Sequence, residues 1–273
     1  MTAFTDALGR PVHLPGPPRR IVSLVPSITE MLFAFGLGDA IAGVTKFCVE
    51  PRDGVAAKPR VGGTKTADVA RILALAPDLV IANAEENSRD DIDRIAAAGI
   101  AVFVTYPRSV RAAIDMMRVL AAITGAGPEA DSIIAECDQE LARARKRLSA
   151  AGSVSVFCPI WREPWMTIGP DTYMHDFLWV CGGANVFGHR PERYPQISLD
   201  EAAAQRPEAV LLPDEPYHFR RRHAQELQAY PEVPAVRDGR IYLVDGKQLC
   251  WYGPRIAGGL RSLQELLHGP KET

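Results

Sequence analysis

Residues 66–86, TADVARILALAPDLVIANAEE, and residues 197–216, ISLDEAAAQRPEAVLLPDEP, carry one pattern twice, 130 positions apart. Each has an acid near the start of an Ala-rich helical run. Each continues with Pro and an acidic residue (Pro77-Asp78, Pro207-Glu208), then an apolar strand (Leu79–Ala82, Ala209–Leu212) and a carboxylate just beyond it. At constant offset Glu85 falls on Glu215. Self-similarity at a fixed distance reveals architecture, and two copies mean two related lobes rather than a solenoid. Two lobes imply a cleft, and a cleft implies a ligand.

The flanking segments extend the pattern. Residues 21–25, IVSLV, form a short apolar run between Arg20 and Pro26, which predicts a buried parallel strand. Ser27 fits an N-cap, with Glu30 completing a capping box for a helix over 28–35. Strands are predicted at Ile41–Thr45 and Ile100–Thr105, and helices at Arg89–Ala98 and Ser109–Thr124, the latter ending at Gly125. From Pro128 to Ala151 no Gly or Pro interrupts the helical spacing of Ile134, Cys137, Leu141, Ala144 and Leu148. That is roughly 23 residues, or about 35 Å of helix, a stiff strut rather than a hinge. The second half then repeats the order of the first. It has a strand at Ser153–Phe157, a helix in DTYMHDFLWVCGGANVF ended by Gly182-Gly183, the repeat unit, a helix at His218–Ala229, a strand at Arg240–Val244 and a closing helix near Ile256–Leu267.

The fold class is therefore α/β, with two αβα lobes, mostly parallel sheets and one long backbone helix. The expected divisions are 1–125 for the N-terminal lobe, 126–151 for the connecting helix and 152–273 for the C-terminal lobe.

A net charge of -2 and no basic, aromatic-studded stretch argue against nucleic acid. No apolar run is long enough to cross a membrane, and residues 1–20 carry no apolar leader core. The location expected is thus periplasmic or extracytoplasmic if a leader is missing from this chain, with a cytoplasmic location as the alternative. Five scattered cysteines with no C-x-x-C pair leave at most a disulfide or two and no zinc or iron–sulfur framework. Nucleophile-elbow, P-loop and H-E-x-x-H motifs are all missing, so no catalytic residue and no metal site is assigned.

Ligands of open α/β sheets bind beyond the carboxyl ends of the strands. Those ends hold Pro26-Ser27, Phe47, Gly63-Thr64 and Asn83 in the first half, and Trp161, Arg162, Trp165, Trp251, Tyr252 and Arg255 in the second. Three of the four tryptophans lie there, and aromatic walls with a few cationic groups suit a bulky, partly apolar ligand.

The motifs RIVSLVPSITE (20–30), VGGT (61–64), LAPDLVI (75–81), CGGANVF (181–187), YPQIS (194–198) and WYGPR (251–255) occur in this order. Together they resemble the substrate-binding proteins of cobalamin and iron-siderophore ABC importers, the helical-backbone metal receptors. The resemblance implies two Rossmann-like lobes that hold a metal chelate between them with little hinge motion and deliver it to an ABC permease; a monomer is expected. The aromatic cleft and the YPQIS and CGG motifs favour a corrinoid over a ferric siderophore or haem, as cargo and not as cofactor. The resemblance also implies one exposed carboxylate per lobe for docking the permease, which falls on Glu85, with Glu86 beside it, and on Glu215. Cobalamin receptors often carry Trp where Asn83 stands. A chelate-handling enzyme or chaperone of the cytoplasm on the same scaffold is the competing reading.

Overall fold

A computed structural model describes residues 2–269, and its chain divides into two compact units. The first comprises residues 2–107, 113–135 and 252–254; the second comprises 108–112, 136–251 and 255–269.

In the first unit, β1 (Thr2–Thr5) and β2 (Pro11–Leu14) form a hairpin ahead of β3 (Ile21–Ser23), α1 (Pro26–Ala34) and β4 (Ile41–Val44). A short α2 (Arg52–Ala56), α3 (Val69–Ala74), β5 (Leu79–Asn83), α4 (Arg89–Ala97) and β6 (Ala101–Thr105) complete it. The helices α5 (Val110–Thr124) and α6 (Pro128–Ala151) follow, each with residues in both units. The second unit then runs β7 (Val154–Phe157), β8 (Pro159–Trp161), β9 (Met166–Thr167), α7 (Tyr173–Val180), β10 (Gly183–Asn185), α8 (Leu199–Ala204) and β11 (Ala209–Pro213). It closes with α9 (Arg221–Leu227), α10 (Pro234–Arg237), β12 (Ile241–Val244), α11 (Gly246–Cys250) and α12 (Arg255–His268).

Each unit holds a four-stranded parallel sheet, ordered β4-β3-β5-β6 in the first and β10-β7-β11-β12 in the second. Counted along the chain within each sheet, both read 2-1-3-4. The repeated segment occupies equivalent places to the residue. Helix α3 begins at Val69 and α8 at Leu199, and β5 begins at Leu79 and β11 at Ala209. Between helix and strand, Ala76 (φ 44) and Arg206 (φ 49) both take the left-handed conformation that lets a helix end and its chain turn into a strand. The acid after each proline serves the same purpose twice. Asp78 Oδ2 accepts the backbone N–H groups of Arg19 (2.8 Å) and Arg20 (2.9 Å), just ahead of β3. Glu208 Oε2 accepts the backbone N–H (2.8 Å) and hydroxyl (2.9 Å) of Ser155 on β7. Each carboxylate thus ties the third strand of its sheet to the first.

Both third strands are buried along their whole length, which is why they read as unbroken apolar runs. Against β5 pack Val69, Ile72, Ile92 and Ile95; against β11 pack Phe157, Phe187, Phe219, Leu227 and Val233.

Several expectations are corrected. Helix α1 starts at Pro26, whose fixed φ suits the first helical position, with Val25 as its N-cap and no side-chain cap because the Val25 side chain carries no acceptor. The segment after α7 is not all helix end: residues 183–185 form the edge strand β10. The helix expected over 218–229 is limited to Arg221–Leu227, because Phe219 turns into the core. The β1–β2 and β8–β9 hairpins carry too few residues for their alternation to register in the sequence.

Candidate functional site

In the first unit the carboxyl ends of the strands are built on a buried polar network. The Thr29 hydroxyl donates to Ser23 Oγ (2.8 Å) and lies 3.1 Å from Cys48 Sγ, which is also 3.2 Å from Thr45 Oγ1. Arg60 holds the same loop, donating to the carbonyls of Thr45 and Cys48. Burial pushes the Cys48 thiol above its ordinary pKa, with the threonine bonds opposing it. This thiol is a packed structural group rather than a nucleophile.

The loop so anchored exposes Phe47, with the Lys46 ammonium 5.1 Å from its ring centre. Gly63 is buried beside it: a Cβ there would lie 2.8 Å from Thr66 Oγ1 and 3.4 Å from the Phe47 ring. Thr64 is half-buried and gives its carbonyl to Asn87. Pro26 and Ser27 are buried at the start of α1.

Asn83 does not offer its side chain to a ligand. It is fully buried, and its Oδ1 accepts the backbone N–H groups of Glu85 (2.8 Å) and Glu86 (3.2 Å) while its Nδ2 donates to Thr105. The amide is committed to the turn that presents Glu85 and Glu86, both half-buried.

The second unit collects aromatic rings at the same end of its sheet. Trp161, on β8, is 42% exposed and meets Tyr217 edge-on, with centroids 5.6 Å apart. Tyr217 leans on Phe219 (4.8 Å), which stacks on Trp165 (5.6 Å). His223 closes the cluster 5.5–5.6 Å from Tyr217 and Phe219. Its Nδ1 accepts the Arg220 N–H, and burial with neighbouring arginines lowers its pKa, so the ring is neutral at physiological pH. Beside Trp161, the Arg162 guanidinium is held by Glu226 at 3.1 Å and by Glu163, which raises its pKa further.

Sequence reasoning singled out Trp161, Arg162 and Trp165 but missed Tyr217, Phe219, His223 and Glu226. The signal was the aromatic run PYHF (216–219), two residues beyond the end of β11.

Trp251 is not an exposed wall. It is 4% exposed, its indole N–H donates to Glu215 Oε1 (3.0 Å), and Lys247 and Arg255 lie 5.4 and 5.5 Å from its ring centre. Arg255 also pairs with Asp245 at 3.7 Å. Tyr252 is buried and groups with the first unit.

Glu215 is accordingly half-buried rather than the open carboxylate expected. Burial raises its pKa, while the Trp251 bond and Lys247 oppose the shift and Asp214 and Asp245 add to it. Since the folded value lies above the unfolded one, this group's contribution to stability is present at acid pH and is lost as pH rises through the folded value. Glu215→Gln keeps an acceptor for the indole. Urea unfolding between about pH 4.5 and 7.5 should show the variant matching the native protein at the acid end and exceeding it at neutral pH. A variant less stable than native at neutral pH would overturn this account.

Among the described residues no group of three or more His, Cys, Asp or Glu side chains could hold a metal ion. A cavity of about 360 Å³ lies in the second unit against His175, Asp176, Trp179, Ala184 and Asn185, none of them a predicted ligand contact.

A family model described as periplasmic binding protein matches residues 21–247. An uncharacterized ABC transporter substrate-binding lipoprotein of Bacillus subtilis, YvrC, is 28% identical over 96% of this chain and 84% of its own length. The vitamin B12-binding protein of Vibrio parahaemolyticus is 24% identical, covering 89% of this chain and 87% of that protein. Among solved structures, a periplasmic heme binding protein from Pseudomonas aeruginosa superposes with a TM-score of 0.80 at 25% identity, over 93% of this chain and 94% of that one.

Proposed function

Because this chain belongs to the periplasmic binding protein family, we propose that it captures a corrinoid and hands it to the permease of an ABC importer. The family and the relatives are substrate-binding proteins, not enzymes, and they work outside the cytoplasm. Nothing among them supports the cytoplasmic enzyme or chaperone.

The observation that carries the ligand class is the aromatic face of Trp161 and Tyr217, backed by Trp165 and by the buried Phe219. It ends in an indole exposed far beyond what core packing requires. A flat, largely apolar macrocycle can cover such a surface, and the adjoining Arg162, Glu163 and Glu226 supply polar groups for its rim. A small hydrophilic ferric chelate gains little from it. The B12-binding relative supports a corrinoid, and the heme-binding neighbour makes haem the competitor to test against. Glu85 and Glu215 follow β5 and β11 at equivalent positions; in this reading Glu85, with Glu86 adjacent, docks the permease, whereas Glu215 is held by the Trp251 indole.

Absorbance titration with cyanocobalamin, hemin and a ferric hydroxamate siderophore tests the assignment. Saturable binding is expected for the corrinoid, together with quenching of tryptophan fluorescence. Trp161→Ala should weaken it by about 1–2 kcal/mol, the range of an aromatic anchor. Tight binding of hemin or siderophore with none of cyanocobalamin would refute the ligand class, and an unchanged affinity in Trp161→Ala would remove the wall from the site.

A further inference from the structure

Arg162 is the guanidinium nearest in sequence to the exposed Trp161, and each of its three nitrogens already donates one N–H to a carboxylate. Nε and Nη2 both donate to Glu226 Oε2 at 3.2 Å, Nη2 also lies 3.1 Å from Glu226 Oε1, and Nη1 bonds Glu163. Two carboxylates therefore surround one cation. Glu226 sits on α9 between His223 and Leu227, both buried, so its backbone is anchored. Glu163 is 77% exposed and can swing away.

We infer that Glu226 is a specificity-determining residue. By occupying Arg162 it makes the wall beside Trp161 select chelates with amide-bearing peripheries and reject those with carboxylates. The inference rests on the reading that Trp161 fronts the ligand. The physical ground is charge balance. A free guanidinium forms a strong, bidentate bond with a carboxylate. A guanidinium already paired with one carboxylate and contacted by a second presents a net negative local charge, which disfavours another anion. A primary amide meets no such penalty. Its N–H can donate to Glu163, and its carbonyl can accept a guanidinium proton left over, since five N–H bonds are present and only some are used.

Corrinoids permit a clean test, because hydrolysing one peripheral propionamide changes charge and little else. Cyanocobalamin and its monocarboxylic acids are titrated against the native protein, Glu226→Gln, Glu226→Asp and Arg162→Ala. The native protein is expected to prefer the amide by about tenfold, the scale of one unfavourable charge contact in a partly desolvated site. Glu226→Gln should bring the ratio near one, chiefly by gaining affinity for the acid. Glu226→Asp should retain the preference, and Arg162→Ala should increase it. A merely structural loss would weaken both ligands equally and leave the ratio unmoved, which counts against the inference. If Glu226→Gln does not fold, Arg162→Ala alone decides: a ratio that does not rise overturns the proposal.

Equal binding of amide and acid by the native protein overturns the inference and leaves the corrinoid reading standing. Binding of hemin, with its two propionates, in place of either corrinoid overturns both. The exposed run Arg220–Arg222 at the start of α9 is the competing cationic surface. A native preference for the acid that disappears in Arg222→Ala would assign recognition there instead and overturn the proposal.

Discussion

Gly62→Ala should destabilise the first unit by about 3 kcal/mol or more, combining backbone strain with a collision. Gly62 has φ 94, and a Cβ there would lie 2.5 Å from the Thr66 carbonyl oxygen and 2.8 Å from the Asp68 nitrogen. Both of those atoms belong to backbone, so no rotamer change relieves the overlap. The bonds at risk are Gly63 N–H to Thr66 O and Asp68 N–H to Val61 O, which fold the 61–68 loop back on itself beneath Phe47. Gly99→Ala is the control: it has a similar φ of 85 and open space around it, so it should lose only about 1 kcal/mol. All four tryptophans belong to the second unit. Unfolding is therefore followed by far-UV circular dichroism, with fluorescence reporting the second unit separately. An unshifted dichroism midpoint for Gly62→Ala would show that the loop can yield.

Asn83→Ala is the second large effect, about 2–4 kcal/mol in denaturant unfolding. It leaves the backbone N–H groups of Glu85 and Glu86 without the carbonyl they share and removes the donor to Thr105. Asn83→Asp keeps the acceptor for both N–H groups and should recover much of that loss. The separation of roles is the informative part. Corrinoid affinity of folded Asn83→Ala should equal that of the native protein, because the side chain is fully buried and engaged. Loss of affinity at unchanged stability would restore Asn83 to the ligand site.

The duplication was readable because it consists of local signals: helix spacing, Pro followed by an acid, and a buried strand. The structure adds the reason for that acid, since Asp78 and Glu208 each reach the first strand of their sheet. The aromatic site was only half readable. Trp161 and Trp165 stood out by type and position, whereas Tyr217, Phe219 and His223 lie more than fifty residues further on, joined to them only when the β8–β9 hairpin packs beside β11. The three-residue strand β10 was missed for a related reason. Gly183, Ala184 and Asn185 have no strand propensity of their own and are extended because β7 offers them a parallel partner.

What the sequence by itself determined is the α/β class, the two lobes, the 128–151 helix and the family, all consequences of near-neighbour periodicity and ordered motifs. What only the tertiary structure decided is which of the candidate side chains remain available. Asn83 is committed to a turn, Trp251 to Glu215, and Arg162 to a glutamate 64 positions away. The physical reason is that a polar side chain's availability depends on the partners that folding brings to it, and those partners lie far along the chain. Residue type and spacing set what a group can do; its hydrogen bonds set whether it is free to do it.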